Sequence, residues 1–153
     1  MTKVWSENRM SRREELVKLI NEQIKIENDY VENAAELEKL ISNVAAKLLL
    51  RETRLDSSKH AGILNGILEM LEGIPPEKTL WNYQIESYSD QLAVKERLKS
   101  HIKVETEMLA HVEKEIKHTD DEGIRILLEH IAEDEKKHHK ILTTVIKNFY
   151  KIE

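Results

Sequence analysis

The segments RLDSSKHAGIL, residues 54–64, and AEDEKKHHKIL, residues 132–142, repeat the same order of aspartate, lysine, histidine, isoleucine and leucine. When the shared letters are aligned, Glu135 of the second copy stands opposite Ser57 of the first copy. The two copies therefore have a common framework but differ at a position where one carries a carboxylate and the other a hydroxyl group.

A second match shows that the similarity extends along the chain. QIKIEND, residues 23–29, aligns with HIKVETE, residues 101–107, at the same offset of 78 residues that relates the first two segments, and no gap is needed. The shared offset indicates a two-fold internal repeat, with halves at about residues 11–72 and 89–150.

Each half is predicted to form one helical hairpin. Glycine and proline are scarce, and apolar residues recur at spacings of three and four, which is typical of amphipathic helices. The predicted turns are Ser42–Asn43 and TDDEG at residues 119–123, and EGIPP at residues 72–76 ends the second helix. SRRE at residues 11–14 is interpreted as a capping box that starts the first helix. The predicted fold class is all-α, an antiparallel four-helix bundle with a long crossover at about residues 77–89.

Composition limits the class of protein. The 153 residues are expected to form a single domain, residues 1–153. Charged residues make up 35% of the chain with both signs interspersed, and no basic run would favour nucleic acid. The N-terminal segment MTKVWSENRM lacks the apolar run of a signal peptide, and no run approaches the roughly 20 apolar residues of a membrane span. We therefore expect a cytoplasmic protein with no membrane and no nucleic-acid partner.

The chain contains no cysteine. This excludes disulfides, thiolate zinc sites, a rubredoxin-type iron centre and a thiol nucleophile. Any electron donor to a redox centre must therefore be a separate molecule.

The repeat pairs Glu27 with Glu105 and His60 with His138. In an antiparallel hairpin, residues equidistant from the turn lie at the same height. The midpoint of residues 27 and 60 and the midpoint of residues 105 and 138 both fall in the predicted turns. We therefore expect Glu27 to face His60 and Glu105 to face His138, both at a similar depth along the helices.

The predicted pairs lie on apolar helix faces. A buried carboxylate is costly unless something compensates its charge, and a divalent metal ion does so directly. Glu135 and His138 have the i, i+3 spacing that presents two ligands on one turn of helix, and oxygen and nitrogen ligands suit iron, manganese or zinc. The apolar neighbours are Ile20, Ile24, Val31 and Ala34 around Glu27, and Ile131, Leu142 and Val145 around His138.

A glutamate from each of two helices, together with Glu-x-x-His on another, resembles the ferritin-like superfamily, nearest in style to rubrerythrin-type and bacterioferritin-type di-iron domains. The resemblance covers about residues 11–150. It implies that Asp56 and Asp134 are outer partners that accept the second ring N–H of the ligand histidines. The metal ligands that it implies are Glu27, His60, Glu105, Glu135 and His138.

Ser57 departs from this resemblance, because it occupies the position of a bridging glutamate. Asp56 cannot simply substitute, since one residue back rotates it by about 100° around the helix. The alternatives are a weakened two-metal site, a single-metal or lopsided site, and a bundle that no longer loads metal.

The resemblance implies a rubrerythrin-like peroxidase or oxidase, or a ferroxidase, with dioxygen, peroxide or ferrous iron as substrate. The cofactor would be iron, as two ions or one per chain, with manganese or zinc as alternatives. No catalytic side chain is assigned, and Tyr30 is interpreted either as a redox-active neighbour or as a packed residue. A different class of function is a non-catalytic metal-binding or scaffold bundle.

We also expect a homo-oligomer, with a dimer favoured. Gly62 and Gly66 lie roughly opposite the His60 face of their helix, where they allow close approach of another element. That element is either a second subunit or the crossover near Trp81.

Overall fold

The computed structural model describes residues 2–83 and 90–149, with side chains described for residues 11–83 and 90–148. These residues form helices and turns and contain no strand, and the chain divides into two compact units, residues 1–85 and 86–153. In the first unit α1 packs against α2, and in the second α3 packs against α4, so each unit is one helical hairpin. The helices are α1 (Thr2–Leu40), α2 (Val44–Gly73), α3 (Gln91–Lys117) and α4 (Glu122–Phe149).

The turn of the first hairpin is confirmed at residues 41–43. The side-chain oxygen of Asn43 accepts a hydrogen bond from the backbone N–H of Ala46 at 2.9 Å, which caps α2. At the other end, α2 stops at Gly73, before the two prolines that cannot continue a helix. The sequence therefore predicted both ends of α2.

The start of the first helix differs from the prediction. Helix α1 begins at Thr2, so Ser11 lies inside it and the capping-box interpretation of SRRE is wrong. No glycine or proline precedes Ser11 to interrupt the helix. Arg13 instead uses its guanidinium group to donate hydrogen bonds to the backbone carbonyls of Ile74 and Pro75, just past the end of α2.

The second hairpin also follows the prediction. Asp90 caps α3 by accepting a hydrogen bond from the backbone N–H of Leu92 at 2.9 Å. Within the predicted TDDEG turn, the carboxylate of Asp121 accepts one from the N–H of Ile124 at 3.0 Å, at the start of α4. Capping side chains thus define both helix starts.

The connection between the hairpins is described only in part. At its start the N–H of Lys78 donates to the carbonyl of Pro75 at 2.9 Å, and further on the N–H of Tyr83 donates to the carbonyl of Thr79 at 3.1 Å. Residues 84–89 of the predicted crossover lie outside the described residues. Within the described helices, none combines the length and the apolar character that a membrane span requires.

Each helix has one row of partly or fully buried residues that faces its hairpin partner, and we call this row the seam. Its residues recur at alternating spacings of three and four. The seams follow the internal repeat, so that most positions in α1 and α2 have a counterpart 78 residues later. Glu27, Ser57, Glu105 and Glu135 are therefore seam residues. The seam of α1 continues through Ile20, Ile24, Val31, Ala34 and Glu38, and that of α3 through Leu98, Ile102, Leu109, Val112 and Ile116.

One seam position in the first hairpin carries a buried carboxylate that is paired with two arginines. Glu38 is buried and accepts hydrogen bonds from Nε of Arg51 at 2.6 Å and from Nε of Arg54 at 3.0 Å. The hydrogen bond from Arg51 is the main reason why the pKa of Glu38 is lowered. The repeat places Ile116 and Ala132 at the positions that match Glu38 and Arg54. The first hairpin thus supplies its own cations for this carboxylate.

Candidate metal centre

The second hairpin brings three predicted ligands together. Nδ1 of His138 lies 3.6 Å from Oε2 of Glu105 and 3.7 Å from Oε2 of Glu135. One ligand atom from each of the three residues lies within 4.8 Å of the others. The two nitrogen–oxygen distances are too long for ordinary hydrogen bonds, but they match the spacing of about 3 to 4 Å between ligand atoms around one ion.

The two carboxylates of this cluster are poorly solvated. The side chains of Glu105 and Glu135 are only 16% and 13% exposed. Oε2 of each is buried and has no hydrogen-bond partner among the described residues. Leaving a buried charged oxygen without a donor is unfavourable, and a bound cation would remove this cost. The arrangement is therefore suited to a metal ion.

Solvent can reach the cluster at the imidazole. His138 is 46% exposed, and its ring lies at the edge of the buried face rather than under it. The apolar surroundings are also less complete than predicted, because Ile131 is exposed, whereas Leu142 and Val145 are partly buried. Ile131 was predicted to lie on the apolar face around His138, but it is exposed and is not a seam residue of α4.

The electrostatics of the second hairpin reflect two facing acids. The pKa of Glu135 is raised, first because Glu105 accepts a hydrogen bond from its protonated form, and then by burial and by the negative charge of Glu105. His138 acts in the opposite direction but does not cancel these effects. Glu135 therefore holds its proton more tightly than an ordinary glutamate does.

The first hairpin brings Glu27 and His60 together, with Nδ1 of His60 3.5 Å from Oε1 of Glu27. The Glu27 side chain is 14% exposed and His60 is 51% exposed. Gln23 donates a hydrogen bond to the Glu27 carboxylate at 3.1 Å. The pKa of Glu27 is lowered, first by a hydrogen bond from Ser57 and next by that from Gln23. Here protein donors already stabilise the carboxylate.

A cavity of about 370 Å³ adjoins Glu27 in the first hairpin. On its wall the Tyr30 and Thr53 hydroxyls are hydrogen-bonded at 2.8 Å, and the Thr53 hydroxyl donates to the carbonyl of Leu50 at 2.7 Å. Tyr30 is therefore the donor to Thr53. The cavity is lined by Ile26, Glu27, Tyr30, Thr53, Asp56, Ser57 and His60.

The sequence analysis missed two polar residues near Glu27. Gln23 precedes Glu27 by four residues, a spacing that places both on one side of a helix and could have revealed the contact. Thr53 carried no such signal, because the repeat matches it with the apolar Ile131.

The two aspartates that the resemblance assigns to the outer shell contact basic side chains on their own helices. Asp56 accepts a hydrogen bond from Lys59 at 2.9 Å. Asp134 lies 3.4 Å from Nζ of Lys137 and 3.6 Å from Nε2 of His130. Their role as acceptors for the ligand histidines stays a prediction.

The structure thus confirms the facing pairs Glu27–His60 and Glu105–His138 and adds Glu135 to the second pair. That all five residues share one centre stays a prediction.

The glycine face of α2 is open. A Cβ at Gly62 or Gly66 would meet no described atom within 4 Å. The described part of the crossover therefore does not fill this face, and the predicted dimer remains an expectation.

Four helices in two antiparallel hairpins, with seam glutamates and the Glu-x-x-His formed by Glu135 and His138, define a carboxylate–histidine helical protein of the ferritin-like class. The model of the family described as Rubrerythrin matches residues 19–146, and the chain belongs to this family. The family lies in the ferritin-like superfamily, so the resemblance and the all-α fold class are confirmed. No curated protein and no solved structure gives a significant match to the chain.

Proposed function

We propose that this chain binds iron through Glu105, Glu135 and His138 and supports oxidation by dioxygen or peroxide. The observation that carries the proposal is the pair of buried carboxylate oxygens without hydrogen-bond partners beside an imidazole, in a chain of the rubrerythrin family. Two carboxylates and one imidazole are a donor set that suits iron, with manganese and zinc as competitors. When bound, the iron would supply the redox chemistry.

The residues of the second hairpin would control when the metal binds. Glu135 must lose its proton to become a ligand, and its raised pKa means that this proton is held more tightly than in an ordinary glutamate. Below the raised pKa, metal binding should therefore release a proton, and the affinity should increase as the pH rises through the raised pKa.

Electrons would reach this centre from outside the chain, because the sequence has no cysteine with which to build a second iron centre. The proposed setting is the cytoplasm, and the proposed assembly is a homodimer.

The test is anaerobic titration with ferrous iron, followed by addition of dioxygen or peroxide. Glu135→Gln should weaken iron binding by about tenfold or more. Glu113→Gln, an exposed position on α3, is the matched control and should leave binding unchanged. Wild-type protein that binds no iron, or a Glu135→Gln variant that binds it equally well, would contradict the proposed site.

A non-catalytic metal-binding bundle is the second candidate function. It is favoured by the first hairpin, where Ser57 and Gln23 already satisfy Glu27. Ferrous iron that binds but is oxidised no faster than free iron by either oxidant would support this candidate over the first.

A further inference from the structure

The two hairpins stabilise their seam carboxylates in opposite ways. In the first hairpin, Glu27 accepts hydrogen bonds from Ser57 and Gln23, and Glu38 accepts hydrogen bonds from two arginines. In the second hairpin, Glu105 and Glu135 face each other, and each has a buried oxygen without a partner. The first hairpin therefore satisfies its acids with protein groups, whereas the second leaves buried carboxylate oxygens that a metal ion could satisfy.

This difference arises at one position of the repeat, which is Ser57 in the first hairpin and Glu135 in the second. Across the seam, Ser57 lines the same cavity as Glu27, and ligand oxygens of Glu135 and Glu105 lie within 4.8 Å of each other. A hydroxyl group can donate a hydrogen bond to the facing carboxylate without changing the charge of the site, whereas a second carboxylate adds negative charge. With serine instead of glutamate at this position, the first hairpin has a hydrogen-bond donor where the second hairpin has a second acid.

We propose that Ser57 confines tight metal binding to the second hairpin, so that the chain holds one tightly bound ion instead of two. This inference rests on the proposed function and specifies the stoichiometry of its centre. An ion at Glu27 would gain one carboxylate and the His60 imidazole, and it would have to displace or weaken the hydrogen bonds from Ser57 and Gln23. An ion at Glu135 gains two carboxylates and an imidazole, and it removes a like-charge repulsion.

The first hairpin has room for the missing group. The cavity of about 370 Å³ beside Glu27 is lined by Ser57 and His60, so a longer side chain at position 57 has space in which to extend. Ser57→Glu should therefore recreate in the first hairpin the Glu-x-x-His pattern of the second.

The experiment counts ions in the full chain. Ferrous iron is titrated anaerobically by equilibrium dialysis, zinc is titrated in parallel, and native mass spectrometry gives the number bound per chain. The variants are Ser57→Glu, Glu27→Gln and Glu135→Gln. Ser58→Glu is the matched control, because it adds the same charge at the adjacent exposed position.

Wild type should bind one ion tightly. Glu135→Gln should lower the affinity for this ion by about tenfold or more, while Glu27→Gln should leave that affinity unchanged. Ser57→Glu should add a second ion, and Ser58→Glu should not. Circular dichroism checks that each variant keeps its helices, and the comparison of Glu27→Gln with Glu135→Gln decides the question even if Ser57→Glu does not fold.

The inference would be overturned if wild type bound two ions tightly, or if Glu27→Gln and Glu135→Gln lowered the affinity for the first ion equally. Either result would leave the proposed iron binding intact. Wild type that binds neither metal would overturn both. One ion that binds as described but does not react with dioxygen or peroxide would support the inference and remove the proposed oxidation.

Discussion

Replacing Glu135 by glutamine should make the metal-free protein more stable at neutral pH. In wild type, the carboxyl group of Glu135 faces that of Glu105, and ligand oxygens of the two residues lie within 4.8 Å of each other. Glutamine has a similar shape, carries no charge, and can donate a hydrogen bond to the remaining carboxylate. The substitution therefore removes a repulsion and adds a donor.

The size of the effect follows from this separation. Two like charges no more than 4.8 Å apart repel by at least roughly 1 kcal/mol in bulk water and by at least roughly 3.5 kcal/mol at an effective dielectric constant of 20. Because the two side chains are mostly but not fully buried and His138 lies close by, we expect a gain of about 1 to 2 kcal/mol in the free energy of unfolding. For a chain of this size that corresponds to an increase of about 2 to 8 °C in Tm.

The pH dependence of stability tests independently whether Glu135→Gln raises the free energy of unfolding. The raised pKa means that the folded chain holds the Glu135 proton more tightly than the unfolded chain does. The wild-type free energy of unfolding should therefore fall as the pH rises from the ordinary glutamate value of 4.5 through the raised pKa. The advantage of Glu135→Gln should be small at low pH and should grow across this window.

Metal should offset the stability advantage of Glu135→Gln. At an iron concentration one hundred times the wild-type dissociation constant, wild type gains about 2.7 kcal/mol, whereas a variant that binds tenfold more weakly gains about 1.4 kcal/mol. The assay is urea denaturation with and without metal at several pH values, with Glu113→Gln as the control. A metal-free Glu135→Gln protein that is less stable than wild type at neutral pH would refute the account of the acid pair.

Three further substitutions test other parts of the structure. Ser57→Ala should lower the free energy of unfolding by about 1 kcal/mol at neutral pH. Denaturation at decreasing pH should show that loss disappear as Glu27 becomes protonated below its lowered pKa. Asn43→Ala should cost about 1 kcal/mol in the same assay by removing the cap of α2, whereas Asn43→Asp keeps an acceptor oxygen and should cost less. Gly66→Ala should raise the free energy of unfolding by up to about 1 kcal/mol, because alanine favours a helix more than glycine does and the new Cβ meets no described atom within 4 Å. A loss of stability together with a smaller sedimenting species would show instead that a second copy covers this face.

The sequence by itself determined the helices, and it determined which residues of the site face one another at the same level along each hairpin. Spacings of three and four define the buried face of each helix, and the residue count from each turn determines which positions face one another in an antiparallel hairpin. These two rules are enough to predict that Glu27 faces His60 and that Glu105 faces His138. They worked because both depend only on regular helix geometry and on the location of two short turns.

The start of α1 required the three-dimensional structure. A serine followed three residues later by a glutamate satisfies the local rule for a capping box, but the rule applies only if the preceding residues are not helical. Helix α1 extends back to Thr2, so Ser11 has an ordinary position within it.

Only the tertiary structure decided which atoms satisfy each buried carboxylate. Helix periodicity places Glu27 and Glu135 on buried faces alike, but a hydrogen bond requires a donor within about 3 Å at a suitable angle. That condition depends on which side chains meet across the seam: Ser57 and Glu27 line the same cavity, whereas Glu135 meets a second carboxylate. The sequence showed that the two repeats differ at this position. The packing showed that the difference reverses the electrostatics, because one seam supplies hydrogen-bond donors and the other supplies a second negative charge.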